Sequence, residues 1–366
     1  MKISLITMHR VPNYGSVLQT YATSKILNDL GHTVEVIDYI PRRLLLSNTI
    51  ISEALYKNKL LLPLNLLYSA LVNVPKLGMY NKFLQKYLKI SKVKYHEIGD
   101  LKNLTPDGDV FISGSDQVWN TFYDGFIDPS FFLDFVPANK KRIAYASSFG
   151  RSSLENNEFD ILKNYISKYD HLSVRESSGV DIIQKMGRED VAHVLDPTFL
   201  LSKDQWSNLY SGKIYKDKYI LMYTVNKDEG RLMKLVKEIA DAKNLKIYYL
   251  HNGLKGLKGC DKIFRNQTPE EFLSLFAQAE YVVATSFHGT AFALNFNKPF
   301  ISVLPQKFRA RVESILNLTG LQSRMIIDDF TLDTALAPID FTHANSILKN
   351  EKLRSINYLK SSLTEV

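Results

Sequence analysis

A histidine follows a short apolar segment at a place that suits chemistry on an anion. Residues 281–284 form an apolar, β-branched run that predicts a buried parallel strand. Residues 286–290 (SFHGT) then begin an apolar helix. A helix that starts at the carboxyl end of a parallel strand offers unpaired N–H groups and a positive dipole end, and both favour an anion. His288 adds a group that titrates near neutral pH. The alternative is a histidine that only satisfies the backbone of its own helix.

Cationic side chains are predicted at two other strand ends. Arg175 stands where a predicted strand gives way to a helix, and its forked donors suit a carboxylate or phosphate. An ion pair with the neighbouring Glu176 is the alternative. Lys307, Arg309 and Arg311 follow a later strand. They either add positive charge near the edge that carries His288 or form a solvated face.

Small and polar residues follow the predicted strands of the first half. Asn13 can cap the first helix, while Gly15 and Ser16 let backbone N–H groups approach a phosphate or carboxylate. Asp116 can act as a general base or bind a sugar hydroxyl, and Trp119 can stack on a sugar ring. Helix capping is the alternative for both Asn13 and Asp116. We expect a ligand-binding cleft along these strand ends. The residues of this half that are predicted to line it are Asn13, Tyr14, Gly15, Ser16, Ser115, Gln117, Trp119 and Ser148.

The remaining histidines and the single cysteine do not form a metal-ligand pattern. The chain has eight histidines and one cysteine, Cys260, and their spacing matches no zinc motif. We therefore expect no metal and no cofactor. A lone cysteine cannot form an internal disulfide, which is typical of a reducing compartment such as the cytoplasm.

Short apolar runs alternate with helical segments along the whole chain, which predicts an α/β protein with parallel sheets. The predicted strands are 3–8, 33–38, 109–113, 142–147, 171–174, 191–195, 219–223, 246–250, 281–284 and 299–303. A polar segment divides these runs into two series, so we expect two Rossmann-like, doubly wound domains that face a central cleft in a GT-B-like arrangement. The expected bounds are 1–205 and 206–340, with residues 341–366 forming a helix that crosses back to the first domain.

The net charge of +8 indicates an anionic partner. Between Arg42 and Lys94 stand ten basic residues and one acidic residue, Glu53. Leucine-rich runs lie among them, which predicts a basic helical insertion at about 41–97. This insertion either contacts an anionic membrane surface or packs on its own domain. No motif for nucleic acid accompanies the charge, and no run of about 18 apolar residues predicts a membrane span. We therefore expect a cytoplasmic protein, at most peripheral at the inner face of the cell membrane.

Taken together, these segments resemble the polysaccharide pyruvyl transferase family. The resemblance covers most of the chain and rests on the order and spacing of five short segments. They are residues 13–22 (NYGSVLQTYA), 114–119 (GSDQVW), 174–176 (VRE), 196–199 (DPTF) and 286–289 (SFHG).

The resemblance implies transfer of pyruvate from phosphoenolpyruvate to two hydroxyls of a sugar, as a ketal on a surface or exopolysaccharide precursor. The acceptor, a glycan or lipid-linked oligosaccharide, is expected on the first domain and the donor on the second. Arg175 and His288 fall on the family's donor-binding positions, and Lys307 or Arg309 is a looser match to a downstream basic residue. The donor-binding set is Arg175, Ser286, His288, Gly289, Thr290, Lys307 and Arg309. The expected catalytic residues are His288, Asp116 and Arg175.

Two other functions stay open. A nucleotide-sugar-dependent GT-B glycosyltransferase has the same architecture, and residues 268–279 resemble the donor domain of such enzymes. Those enzymes commonly place a carboxylate in the helix after the next strand, whereas residues 291–296 (AFALNF) have none. A non-catalytic glycan-binding protein is the second alternative, and the joint presence of Asp116, Arg175 and His288 argues against it.

Overall fold

A computed structural model describes the protein over residues 1–45, 73–121, 126–225, 229–251, 257–304, 309–327 and 331–364, with isolated positions from 63 to 71. The described chain contains two larger sheets in which every strand pair is parallel. The predicted α/β class with parallel sheets is therefore confirmed.

The first sheet has the strand order β3-β2-β1-β4-β5. Its strands are β1 (Lys2–Ile6), β2 (Thr33–Tyr39), β3 (Ile90–Tyr95), β4 (Val110–Ser113) and β5 (Lys141–Ala144). Beyond β5, isolated bridges join the sheet edge to the short pair β6 (Ser173–Val174) and β7 (Ala192–His193). The order changes direction between β1 and β4, and in doubly wound sheets ligands bind outside the carboxyl ends of such strands.

The second sheet has the order β10-β9-β8-β11-β12-β13 and changes direction between β8 and β11. Its strands are β8 (Tyr219–Tyr223), β9 (Lys246–His251), β10 (Lys262–Arg265), β11 (Tyr281–Ala284), β12 (Phe300–Val303) and β13 (Met325–Ile326). Alternate residues of β8 belong to different apolar clusters. Both faces of this sheet are therefore covered, which explains why its central strands are apolar throughout.

Helices connect the strands and close the chain. The described helices are α1 (Tyr14–Asp29), α2 (Val74–Tyr87), α3 (Ile98–Asn103), α4 (Asn156–Ile166), α5 (Ser177–Lys185), α6 (Lys203–Ser207), α7 (Glu229–Lys243), α8 (Pro269–Gln278), α9 (Phe287–Asn295), α10 (Ala310–Leu318), α11 (Leu332–Leu336) and α12 (Phe341–Thr364). Within the described residues, every helix is too short or too polar to cross a bilayer.

The two halves share apolar packing. The Tyr14 ring at the start of α1 stacks on Phe272 of α8, with ring centroids 4.5 Å apart. The Trp206 ring contacts Phe292 of α9 at a centroid distance of 5.2 Å. The last helix, α12, returns to the first sheet, where the Tyr358 hydroxyl donates to the Ala144 carbonyl at 3.0 Å. These contacts hold the carboxyl edges of the two sheets next to each other.

The predicted basic insertion is not helical throughout. Its described end consists of α2 and then β3, an edge strand that pairs with β2. Two lysines of β3, Lys92 and Lys94, are exposed, and exposed lysines are common on edge strands. Most of the leucine-rich part, from 46 to 72, lies outside the described residues. Strands β10 and β13 are also absent from the prediction, because both are short and lie at or near a sheet edge.

Candidate active site

A cavity of about 470 Å³ lies between the carboxyl edges of the two sheets, a volume typical of small-molecule sites. Its walls come from loops that follow strands of both sheets. The first half contributes Met8, Val11, Asn13, Ser16, Arg43, Leu44, Asp116, Gln117 and Asn120. The second half contributes Val225, Thr285, Ser286, Phe287, His288, Leu304 and Arg311. The cavity therefore lies where both sheets change direction.

Helix α9 begins at the wall of this cavity. Ser286 is its N-cap, and the Ser286 hydroxyl accepts a hydrogen bond from the Gly289 N–H at 3.1 Å. The N–H groups of the first helical turn have no acceptor within the helix. Because Ser286, Phe287 and His288 line the cavity, this helix start places unpaired donors and a positive dipole end beside it.

Helix α1 begins at the opposite wall. The Asn13 side chain accepts from the Gly15 N–H at 2.8 Å, so Asn13 is the N-cap that the sequence predicts. Asn13 and Ser16 both line the cavity. Two helix N-termini, one from each half, thus face the same space.

The His288 ring packs directly on the backbone of Gly15. A Cβ atom at position 15 would lie 1.9 Å from His288 Nδ1 and 2.2 Å from Cγ. No side chain fits in this space, so glycine is required here by the close approach of the imidazole and not by its backbone angles. Since Gly15 belongs to the first half and His288 to the second, this contact joins the halves at the cavity.

His288 is neutral at pH 7. Burial lowers the pKa of its imidazole, and although Asp196 and Asp116 oppose this effect, the pKa falls to about 4. The positive charges of Arg175 and Arg311 lower it further. The Nε2 atom is 3.8 Å from Asp196 Oδ2, which is beyond hydrogen-bond distance.

Asp116 is ionised and held in a strained backbone conformation. Its φ angle is +79°, in the left-handed region that residues other than glycine seldom adopt. The Ser16 hydroxyl donates to Oδ2 at 2.5 Å, and the Gln117 N–H donates to Oδ1 at 2.9 Å. Burial raises the pKa of Asp116, but the nearby positive charges, foremost Arg175, outweigh it and bring the pKa to about 2. A carboxylate with so low a pKa is a weak base at neutral pH.

Arg175 lies behind the cavity wall and not in it. Its side chain has no exposed surface, and its guanidinium pairs with Asp196 at 2.7 Å, Asp116 at 3.3 Å and Glu176 at 3.8 Å. Phe287 covers it, with the guanidinium carbon 4.8 Å from the ring centroid. Three carboxylates thus surround the guanidinium, and donor contact by Arg175 stays a prediction.

Arg311 is the second-half arginine that lines the cavity. Its Nη1 and Nη2 atoms lie 3.0 and 2.8 Å from the terminal amide of Gln117, whose oxygen accepts from both when turned toward them. Arg309, which the sequence favours, instead pairs with Glu313 at 3.2 Å and is absent from the cavity lining. Lys307 lies outside the described residues.

Two predicted aromatic lining residues belong to the core. Trp119 has no exposed surface and stacks on Phe132 with ring centroids 5.6 Å apart, so it cannot stack on a sugar. Tyr14 is equally buried, and its hydroxyl donates to the Gln267 carbonyl at 2.8 Å. Both rings therefore fill the apolar interior and do not line this cavity.

Four smaller predicted residues also lie just behind the wall. Ser115 donates to Asp196 Oδ2 at 2.8 Å, and Ser148 donates to Glu176 Oε1 at 2.8 Å, so both support the buried carboxylates. Gly289 and Thr290 follow the lining residues in α9 but do not line the cavity themselves. The predicted residues that do line it are Asn13, Ser16, Asp116, Gln117, Ser286 and His288.

Sequence reasoning assigned no role to Asp196, to Asn120 or to the cavity-lining Arg43. Asp196 has no exposed surface as a side chain and accepts from both Arg175 and Ser115. The signal for it is the DPTF segment, which carries part of the family resemblance but to which the resemblance assigns no site residue. Among the described residues, no group of three histidine, cysteine or acidic side chains is arranged to hold a metal ion.

Replacing Gly15 with alanine is expected to displace the His288 ring, because the added methyl and Nδ1 cannot occupy the same space. Overpacking of this kind costs about 1–3 kcal/mol, so the midpoint of thermal unfolding falls. NMR of histidine-labelled protein reports the ring directly through its imidazole signals. Gly78→Ala is the matched control, since a Cβ there meets open space within α2. Unchanged His288 signals in Gly15→Ala would contradict the packing argument.

His288 is expected to reduce stability in mild acid. The unfolded chain binds a proton at this residue below about pH 6.5, whereas the folded chain does so only near its pKa of about 4. Falling pH therefore favours the unfolded state over this interval, by on the order of 3 kcal/mol. Urea unfolding between pH 7 and pH 4 measures the loss, which should be smaller in His288→Gln. The exposed His343, changed to Gln, should leave the wild-type pH dependence intact.

Solved structures share this fold at low sequence identity. MnaA from S. aureus, solved with UDP, is 12% identical, with 100% of this chain and 97% of its own covered and a TM-score of 0.55. AviGT4, a glycosyltransferase involved in avilamycin A biosynthesis, is 13% identical over 99% of this chain and 97% of its own, with a TM-score of 0.51. The UDP-GlcNAc 2-epimerase of Methanocaldococcus jannaschii is 11% identical over 95% and 92%, with a TM-score of 0.50. This likeness confirms the GT-B-like class of two Rossmann-like domains.

A comparison with curated proteins gives no match to this sequence. The family model for polysaccharide pyruvyl transferase matches residues 13–306, which include every segment on which the resemblance rests. Those segments supply Asn13 and Asp116 on one wall of the cavity and His288 on the other. The chain therefore belongs to the polysaccharide pyruvyl transferase family.

Proposed function

We propose that this protein transfers the pyruvyl group of phosphoenolpyruvate to two hydroxyls of a sugar in a surface or exopolysaccharide precursor. One observation carries the proposal: a buried histidine at a helix start, an arginine and an ionised aspartate meet in one cavity between the two halves. Phosphoenolpyruvate carries a carboxylate and a phosphate close together, so its site needs several N–H or cationic donors. The α9 start, the α1 start and Arg311 supply donors of this kind from three directions.

The reaction forms two C–O bonds and breaks one. A proton adds to the methylene carbon of phosphoenolpyruvate, and a sugar hydroxyl attacks the resulting oxocarbenium-like carbon. A second hydroxyl then displaces inorganic phosphate and closes the cyclic ketal. Each hydroxyl loses its proton; in sum one proton is kept in the new methyl group and the other leaves with phosphate, so no redox partner is needed.

His288 is the residue that suits proton transfer. It is neutral at pH 7, and an opposite charge within about 4–6 Å favours the charged form of an ionisable group. The arriving anion is therefore expected to raise the pKa of His288 from about 4 toward neutrality. In that state His288 can protonate the methylene carbon or the leaving phosphate, a contribution of about 10²–10⁴ in rate.

Asp116 suits a different role from the general base that the sequence predicts. With a pKa of about 2 it stays ionised, so it can stabilise positive charge that develops at the ketal carbon. Arg175, behind it, holds Asp116 and Asp196 in place through ion pairs. Its part in the reaction is positioning and not contact with the donor.

The acceptor and the location belong to the same proposal. A glycan or lipid-linked oligosaccharide would enter from the first half, where Arg43 and Leu44 line the cavity. Leu44, Leu71 and Val74 are exposed and lie within the basic stretch of the sequence from Arg42 to Lys94, which supports peripheral contact with an anionic membrane. We propose a cytoplasmic enzyme with no cofactor and no nucleic acid partner.

Incubation of candidate oligosaccharides with phosphoenolpyruvate and the enzyme tests the function. We expect a mass gain on the acceptor, together with release of inorganic phosphate. Replacing His288 with alanine should lower the rate about 10²–10⁴-fold at saturating phosphoenolpyruvate, because proton transfer is lost. Near-normal turnover of that variant would contradict the catalytic role. Release of UDP or GDP from a sugar nucleotide would favour a glycosyltransferase, and stabilisation by glycan without turnover would favour a binding protein.

The role of Arg311 in the donor site can be tested by comparing its substitution with that of Arg309, which lies outside the cavity. Arg311→Ala should raise KM for phosphoenolpyruvate about 10-fold or more, because charge-assisted hydrogen bonds contribute about 1.5–3 kcal/mol. Arg309→Ala, which removes the same charge two residues away and outside the cavity, should change KM by less than about 2-fold at physiological salt. Equal effects of the two substitutions would mean that only the general positive potential matters.

A further inference from the structure

We infer that Asp196 is a positioning residue that holds the Nε2 edge of His288 when the donor is bound, and this inference rests on the proposed pyruvyl transfer. Asp196 lies behind the cavity wall and does not line it. It therefore acts through His288 and not on the substrate. The inference gives a role to the DPTF segment, which forms no part of the cavity surface.

The carboxylate of Asp196 is fixed before any ligand binds. Its Oδ1 atom accepts from the Thr198 N–H at 3.0 Å and from the Thr198 hydroxyl at 2.7 Å. Its Oδ2 atom accepts from Arg175 Nη1 at 2.7 Å and from the Ser115 hydroxyl at 2.8 Å. These four donors orient Oδ2 toward the interior side of His288.

One edge of the His288 imidazole lacks a hydrogen-bond partner among the described residues. His288 Nε2 is buried and has no hydrogen-bond partner within the described residues, and Asp196 Oδ2 is 3.8 Å away. The other edge of the ring, at Nδ1, lies over the Gly15 backbone. A small rotation of the ring brings Nε2–H within hydrogen-bond distance of Oδ2, and protonation of His288 favours that rotation because the ring then carries a positive charge.

Four charged groups act on the pKa of the His288 imidazole, and two of them raise it while two lower it. Asp196 and Asp116 favour its protonated form, whereas Arg175 and Arg311 oppose it. Burial outweighs the two carboxylates and holds the pKa of His288 below its ordinary value. When phosphoenolpyruvate neutralises Arg311, the balance changes in favour of protonation, and Asp196 is then the carboxylate that accepts from Nε2–H. The same relation between a carboxylate and a histidine fixes ring orientation and basicity in many active sites.

Glu176 provides the matched control. It is as buried as Asp196 and also pairs with Arg175, at 3.8 Å. Its Oε1 atom, however, accepts from Ser148 and from the Gly150 N–H, and Glu176 is not among the groups with the largest effect on the pKa of His288. If the substitutions act only by removing an ion pair from Arg175, they should change the pKa of His288 equally at positions 176 and 196. If Asp196 is the partner of His288, only the substitution at position 196 should change that pKa.

The experiment measures the titration of His288 by NMR in ¹⁵N-histidine-labelled protein, with and without phosphoenolpyruvate. In the wild type we expect phosphoenolpyruvate to raise the pKa of His288 by one unit or more. In Asp196→Asn this rise is lost and kcat falls about 10–100-fold, with KM for phosphoenolpyruvate within about 3-fold. In Glu176→Gln, phosphoenolpyruvate should still raise the pKa of His288 as in the wild type, even though the thermal unfolding temperature of this variant falls.

A second variant keeps the test decisive if Asp196→Asn does not fold. Thr198→Val removes the hydroxyl that orients Oδ1 while retaining every charge, so it should reduce the rise in the pKa of His288 without abolishing it. The inference is overturned if Asp196→Asn, or Thr198→Val in its place, titrates as the wild type does, or if Glu176→Gln changes the titration equally. Absence of any pyruvyl transfer by the wild type would refute the proposed function alone, because the NMR titration is read independently of turnover.

Discussion

The site depends on one close contact, in which the imidazole of His288 rests on the bare backbone of Gly15. Each partner comes from a different sheet, and each lies in the first turn of a helix that follows a central strand. The contact is possible only because position 15 has no side chain and because the apolar packing of Tyr14 on Phe272 holds the halves together. It brings two helix N-termini, each with a positive dipole end and unpaired N–H groups, to the same cavity.

A buried group of charges stands behind this contact and sets the protonation state of the site. Arg175 is surrounded by Asp116, Asp196 and Glu176, and a charge taken so far from water persists only with such partners. The arrangement keeps Asp116 ionised, while burial keeps His288 neutral at pH 7. Arg175, which falls on a donor-binding position in the resemblance, lies behind the cavity wall and pairs with Asp116, which faces the cavity.

Much of the fold was predictable because the central strands are buried on both faces. Strands β8 and β11 have the predicted bounds, since unbroken apolar runs have few other uses in a soluble domain. The edge strand β3 was missed because most of its residues are exposed and the basic, leucine-rich sequence before it favours a helical insertion. The same logic explains Trp119, whose ring suits a sugar platform and a core equally well until its neighbours are known.

The residue pattern alone was enough to predict the class of fold, the helix starts at Asn13 and Ser286, and the position of Asp116 and His288 at strand ends that border the cavity. These features are local, since a strand followed by a capping residue and a helix fixes where a side chain leaves the backbone. Packing between distant elements, in contrast, places Arg311 in the cavity lining and leaves Arg175 and Arg309 outside it. That choice depends on which carboxylates and rings the other elements bring alongside each arginine, and contacts between distant segments leave no trace in the spacing of residues along one chain.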